Sequence, residues 1–261
     1  MAKAQGLARI DDVQPRQIDH VDAQIALTNT VYANSTAVQR LRLVYKGEVN
    51  YAEVNMDTDL PRVASGSDGI LDEVPMLRDL YRADFVSLWG SYADYCGLGY
   101  LMSTESSTFA SIAYNVVASP GCTTGSSYTF AHELGHNMGL RHDNYMDSAS
   151  TSVTEVGTIA YAHGYVDTTN RFRTVMSYND QCMALGFNCS RAPHFSNPAI
   201  SYLNTAFYAP AVLATTGNAV NAHEQRVLDY TRETTQNFRT PQLTMPFPGA
   251  GTVSFLPALY T

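Results

Sequence analysis

Lysine is almost missing from this chain of 261 residues: only Lys3 and Lys46 occur, and the 16 basic residues face 24 acidic ones. The formal net charge of −8 leaves no basic face to neutralise phosphates, which argues against a nucleic-acid partner. Charged residues of both signs reach only 15%, while 45% are hydrophobic, so a chain too polar to bury a core is excluded. No apolar run approaches the roughly 18 residues of a membrane-spanning helix, and internal repeats and long linkers are absent. The length suits one large domain or two small ones.

Cysteine is scarce but even in number: Cys96, Cys122, Cys182 and Cys189, with no CxxC pair. Three pairings are open, and sequence alone does not choose between them. A local Cys182–Cys189 closure would leave Cys96 with Cys122; four buried thiols in a cytosolic protein is the competing reading. With so little lysine and so much Ser, Thr, Asn and Tyr, the even count points to an oxidising, secreted setting. The opening MAKAQGLARIDD has no apolar signal-peptide core, so the expected export signal lies outside this sequence.

Periodicity predicts an amphipathic helix over 16–35 (Ile18, Val21, Ile25, Val31, Tyr32) and a strand over Val38–Val49. A turn at Gly66–Gly69 precedes a helix over about 70–82, with Pro75 in its first turn or kinking it. Asp84–Trp89 reads as a buried strand, Phe109–Ala118 as one or two more, and Ser126–Leu140 as a helix. Residues 143–175 read mostly as loop, 221–238 as a final helix, and the stretch after Thr240, with Pro241, Pro246, Pro248 and Pro257, as a tail.

One segment carries chemistry: HELGHNMGLRHD, His132 to Asp143. Two histidines four apart on a helix differ by about 40° and 6 Å, so both rings reach one ion. Zinc takes histidine nitrogens, and catalytic sites commonly use three protein ligands. A straight helix would carry His142 away, but Gly139 permits a left-handed turn that sends it back. Glu133 lies beside the first ligand, where a carboxylate can take a proton from water. A helix that merely happens to be polar is the weaker reading, because three metal-free histidines on one buried edge would be costly.

The segment resembles the extended zinc motif of the metzincin metallopeptidases, and Thr174-Val175-Met176-Ser177-Tyr178 is similar to their methionine turn. Asp143 after the third histidine resembles the reprolysin branch. NTVYANSTAVQRLRLV, SDGILDEVPMLRDLYRADFVSLW, YCGLGYL and HFSNPAISY resemble bacterial reprolysin-like and peptidyl-Asp metallopeptidases. The likeness covers about residues 18–239. Two departures stand out: only Leu7–Ile10 offers an apolar first strand, and Tyr178 has the spacing of an extra zinc ligand in astacins and serralysins, with a packed aromatic the equal alternative.

The resemblance implies an α/β (α+β) fold: a twisted, mostly parallel sheet with helices in an N-terminal lobe, then a loop-rich C-terminal lobe ending in a helix. Residues 1–240 would be the catalytic domain and 241–261 a Pro-rich tail. It implies one catalytic Zn²⁺ on His132, His136 and His142, Glu133 as general base, and Met176, Gly139 and Asp143 as structural support. Arg191 and His194 would line the pocket for the residue after the scissile bond, with Arg173 competing for an acidic side chain there. His163 reads as loop packing, and His20 and His223 as solvated or capping residues. No EF-hand-type calcium loop occurs, and the two N-glycosylation patterns, at Asn34 and Asn188, carry no weight. Partners would be protein or peptide substrates and an inhibitory propeptide, for which Asp11 and Asp12 lie too close to the domain to serve; the protein would be a monomer. The competing readings are a non-catalytic binding or adhesion module and a zinc hydrolase acting on something other than peptides.

Overall fold

Strand-forming runs near the middle of the chain build the layer on which everything else sits. The computed structural model describes residues 3–6, 15–125, 127–149, 161–206 and 211–239. In chain order its first elements are β1 (Lys3–Gly6), α1 (Pro15–Asn34), β2 (Lys46–Val49), α2 (Met56–Ala64) and α3 (Glu73–Tyr81). Then come β3 (Val86–Gly90), β4 (Gly97–Gly99), a 3₁₀ turn over Ser107–Ile112, β5 (Tyr114–Ala118) and α4 (Thr129–Asn137). The remainder holds α5 (Asn144–Ala149), β6 (Val166–Asp167), β7 (Phe172–Arg173), α6 (Asp180–Ala184), β8 (Ser190–Arg191), β9 (Ser201–Asn204), β10 (Val212–Thr215) and α7 (Glu224–Thr235).

Five strands form one mixed sheet in the order β2-β1-β3-β5-β4. The first four run parallel, and only β4 is antiparallel, pairing Gly97 with Val117 and Gly99 with Asn115 at the end of the sheet. Both faces of β3 and β5 are buried because alternate residues feed different cores. Val86, Leu88, Tyr114, Val116 and Ala118 join Met56, Leu60, Val63 and Val74 of α2 and α3. Trp89 and Val117 point the other way, into a cluster with Val31 and Tyr32 of α1, Phe130 and Leu134 of α4, Met176, and Val227 and Leu228 of α7.

Several expectations change in detail. The strand proposed for Val38–Val49 is confined to Lys46–Val49, because Asn29 takes the backbone partners upstream: its side chain both accepts from and donates to Leu41. Phe109 lies in the 3₁₀ turn, not in a strand. Helix α2 lies in a stretch for which no element was expected; it runs through Pro61, Met56, Leu60 and Val63 have helical spacing, and the Asn55 side chain accepts from the Thr58 N–H. The 143–175 stretch contains α5, β6 and β7 as well as loop. The first strand is Lys3–Gly6; Leu7–Ile10, Asp11, Asp12 and the tail 241–261 lie outside the described residues. Both disulfides, Cys96–Cys122 and Cys182–Cys189, are present. Among the described residues no helix is long and apolar enough to cross a membrane.

Candidate metal centre

Helix α4 is buried along its whole length, and its register decides what faces the cleft. A buried chain of hydrogen bonds fixes that register. Trp89 Nε1–H donates to Ser87 Oγ, Ser87 to Asn115 Oδ1, and Asn115 Nδ2 to Asn137 Oδ1 at 2.8 Å. Asn137 Nδ2 then donates to the carbonyls of Tyr100 and Tyr114, so both asparagine side chains are paired through oxygen and nitrogen alike. At its other face Gly135 is bare where Met176 arrives: an added Cβ would lie 2.6 Å from the Met176 sulfur. The helix ends with the Leu140 N–H reaching back to the Gly135 carbonyl and with Gly139 at φ +95°. That reversal brings His142 back alongside α4.

The three histidines converge. His142 Nε2 lies 3.0 Å from His136 Nε2 and 3.1 Å from His132 Nε2. The far nitrogens are engaged: His132 Nδ1 meets the Val175 carbonyl at 3.0 Å and His136 Nδ1 the Leu140 carbonyl at 2.8 Å. A ring donating Nδ1–H to a carbonyl carries a lone pair on Nε2. Two such lone pairs, on His132 and His136, face the Nε2 of the third ring, and a cation between the three nitrogens would be held by all of them. Tetrahedral zinc at about 2.0–2.1 Å from each nitrogen would space the nitrogens by about 3.3 Å, so the donor set fits a zinc-type ion. Burial also pushes the histidine pKa values down, that of His136 to about 3 with help from the nearby His142, keeping the rings neutral and ligand-ready.

Around this cradle lies a cleft of about 240 Å³, lined by Gly97, Leu98, Gly99 and Leu101 on one wall and by Arg141, Asp147 and Tyr178 elsewhere. Glu133 faces it too, and burial raises its carboxyl to about 8, opposed by the charge of Arg191. A cation in the cradle would favour the carboxylate. Asp143 ties the turns together: Oδ1 accepts from the Tyr145 and Met146 N–H groups, and Oδ2 from the Tyr178 N–H at 2.9 Å. The Tyr178 ring stands 4.4 Å from that of His142, more than a third exposed.

Arg191 and His194 do not line this cleft. Arg191 is largely buried beside it, donating to the Ser127 carbonyl at 2.6 Å, and sits in register with Arg173 on neighbouring strands. Burial, then the charge of Arg173, pushes Arg191 down to about 9. Among the described residues neither has a carboxylate within ion-pair distance, and both Nε atoms lack partners, as does Nδ1 of His194, packed on Tyr202. His163 is buried, with Nδ1 against the His142 carbonyl at 2.9 Å and the Asp147 carboxylate at 3.2 Å. His223 occupies the cap of α7, and His20 lies half-buried on α1. Sequence reasoning passed over the wall Gly97–Leu101 and Arg141 with Asp147 as cleft residues; the Gly-Leu-Gly after Cys96 was the available signal.

Residues 7–212 match the model of the reprolysin-like metallopeptidase family M12B. The chain is 36% identical over 224 residues to the peptidyl-Asp metalloendopeptidase of Stenotrophomonas maltophilia K279a, covering 84% of the chain and 47% of that protein. It is 34% identical over 221 residues to that of Xanthomonas campestris pv. campestris, covering 84% and 46%. The chain thus spans about half the length of the curated relatives it matches. A solved chain titled "Structure of a chaperone-substrate complex" superposes with a TM-score of 0.64 over 92% of this chain and 38% of that one; at 17% identity it speaks for the fold alone.

Proposed function

The chain belongs to the reprolysin-like M12B metallopeptidases, and on that premise we propose that it is a secreted, zinc-dependent endopeptidase with a preference for an acidic residue after the scissile bond. The observation that carries the reading is the convergence of the His132, His136 and His142 Nε2 atoms beside Glu133 in one cleft. Zinc, when bound, supplies Lewis-acid polarisation of the scissile carbonyl and acidifies water. Glu133 takes the proton of the attacking water and passes it to the leaving amine. The free edge of β4 faces the cleft, so an extended peptide can dock there as an added strand. Met176 and Asp143 hold the floor, and Tyr178 covers the rim, near enough to the histidines to serve as a further ligand.

The acidic preference draws on two observations. Peptidyl-Asp is in the names of the relatives, and Arg191 and Arg173 lie in register on neighbouring strands with, among the described residues, no carboxylate within ion-pair distance. A buried guanidinium with no ion pair among the described residues is costly, and a substrate carboxylate reaching past the cleft lining toward Arg191 would relieve it. The two disulfides favour an oxidising compartment. Protein substrates, control by a propeptide and a monomeric state belong to the same reading.

Casein digestion mapped by mass spectrometry tests it. Wild type should cut mainly before Asp and Glu, while a zinc chelator abolishes cleavage and Glu133→Ala lowers it by about 10²–10⁴-fold with zinc retained. Arg191→Ala should erase the acidic preference; an unchanged cut pattern would sink that assignment. Absence of both zinc and cleavage would favour the non-catalytic binding module.

A further inference from the structure

Glu133 belongs to α4, yet its immediate neighbour across the cleft wall is β4. A Cβ added at Gly97 would lie 2.5 Å from both Cγ and Oε1 of Glu133 and 2.7 Å from Cδ. One added at Gly99 would lie 2.9 Å from the Glu133 backbone carbonyl and 3.3 Å from Oε2. Real carbon atoms do not approach so closely, so the two glycines leave the space that the Glu133 side chain and its helix occupy. Neither glycine has a positive φ, which leaves close approach as the reason for their type. The strand cannot retreat to make room. Gly97 and Gly99 are paired with Val117 and Asn115 of β5, the chain enters through the Cys96–Cys122 disulfide, and beyond it the Met102 N–H donates to the His136 carbonyl at 3.0 Å.

We propose that Gly97 is a positioning residue for catalysis: its missing side chain seats the Glu133 carboxyl at the metal cradle, whereas Gly99 seats the backbone of α4. The two glycines therefore differ in what a methyl group would displace. At Gly97 the obstructed atoms, Cγ, Cδ and Oε1, all belong to one side chain, which can turn aside without parting strand from helix but takes the base with it. At Gly99 the first obstructed atom is a helix carbonyl, so strand and helix must separate. The inference presupposes that Glu133 is the general base. A displacement of about 1 Å in such a group costs on the order of 10²-fold in rate.

Gly97→Ala, Gly99→Ala, Glu133→Ala and the double variant Gly97→Ala/Glu133→Ala would be compared for melting temperature, zinc per chain and peptide hydrolysis. The expected result for Gly97→Ala is full zinc, a melting temperature within about 2 °C of wild type, KM within about threefold, and kcat down by about 10–100-fold. In the Glu133→Ala background the same substitution should change nothing further, because the group it displaces is gone. Gly99→Ala should lower the melting temperature. A crystal structure of Gly97→Ala gives a readout independent of turnover: the Glu133 carboxyl moved off the cradle, with the three histidines in place. The proposal is overturned if Gly97→Ala keeps kcat within threefold, if it loses as much activity without Glu133 as with it, or if the carboxyl has not moved. Wild type that cleaves nothing would instead defeat the peptidase reading, and the crystallographic comparison would still decide the seating of Glu133.

Discussion

The two walls of the cleft are held in place by different physics. On the sheet side, strands of five residues place fully buried Val86, Leu88, Val116 and Val117 into cores above and below. Past His142 the strands β6 to β8 are two residues long. Phe172, Val175 and Phe195 are buried there, but so are Thr174, Ser177, Ser196, Asn197, Asn204, Thr216 and Glu224. Those polar side chains act as backbone partners: Ser196 Oγ donates to the His163 carbonyl, Asn197 Nδ2 to the Ser35 carbonyl, Asn204 Nδ2 to the Asn170 carbonyl, and Thr216 Oγ1 to the Asn197 carbonyl. Non-directional burial positions the first wall, and directed hydrogen bonds position the second.

The comparison breaks most easily in the sheet. Leu88→Ala should cost about 2–5 kcal/mol in urea unfolding, because both layers around it are close-packed and cannot collapse on the cavity. Next come the disulfides, one to each wall. Removing Cys96–Cys122, with a sequence separation of 26, should cost about 3.5 kcal/mol; removing Cys182–Cys189, with a separation of 7, about 2.5 kcal/mol. Paired Cys→Ser variants followed by thermal unfolding check the order, and a larger loss from the short loop would mean that the second wall depends on its staple more than loop closure allows.

The smallest effect discriminates best. Glu224 accepts from the Ser196 N–H, and burial raises its carboxyl from 4.5 to about 8. Between those values the folded chain holds a proton that the unfolded chain has released, so its share of stability is full below about pH 4.5 and is lost as the pH rises toward 8. Glu224→Gln should flatten the fall in melting temperature between pH 5 and 8.5. The sheet-side chain from Trp89 to Asn137 contains no group that titrates in that range, so Asn115→Ala should lower the melting temperature without changing its pH slope.

Legibility followed the same division. Helices α1 and α7 were readable because their apolar residues repeat with the helical period, β3 because it is a short unbroken apolar run buried on both faces, and α4 because of the spacing of its histidines. The three histidines were readable because their ligand spacing is local. The residues around them were not. Gly97 and Gly99 matter for what approaches them from α4, and a glycine's neighbours across space leave no mark on its own segment. Val38–Tyr45 alternates like a strand, yet the Asn29 side chain took up the Leu41 backbone, a choice that periodicity does not encode. Strands β9 and β10 were missed for a related reason: each is four residues long with half of them exposed, as the hairpin stands apart from the main sheet.

The sheet has two ends, and an open strand edge invites any chain that can match its hydrogen bonds, including a second copy of the same protein. At one end β2 carries Lys46 and Glu48, charges that discourage stacking of like on like. The other end, which lines the cleft, carries no such charge. There β4 is only three residues long and two of them are glycine, a sequence with little intrinsic preference for extended pairing. Such an edge holds a guest only when something beyond it, such as a pocket or an ion, adds to the grip. The brevity of β4 thus disfavours aggregation through the edge that borders the cleft.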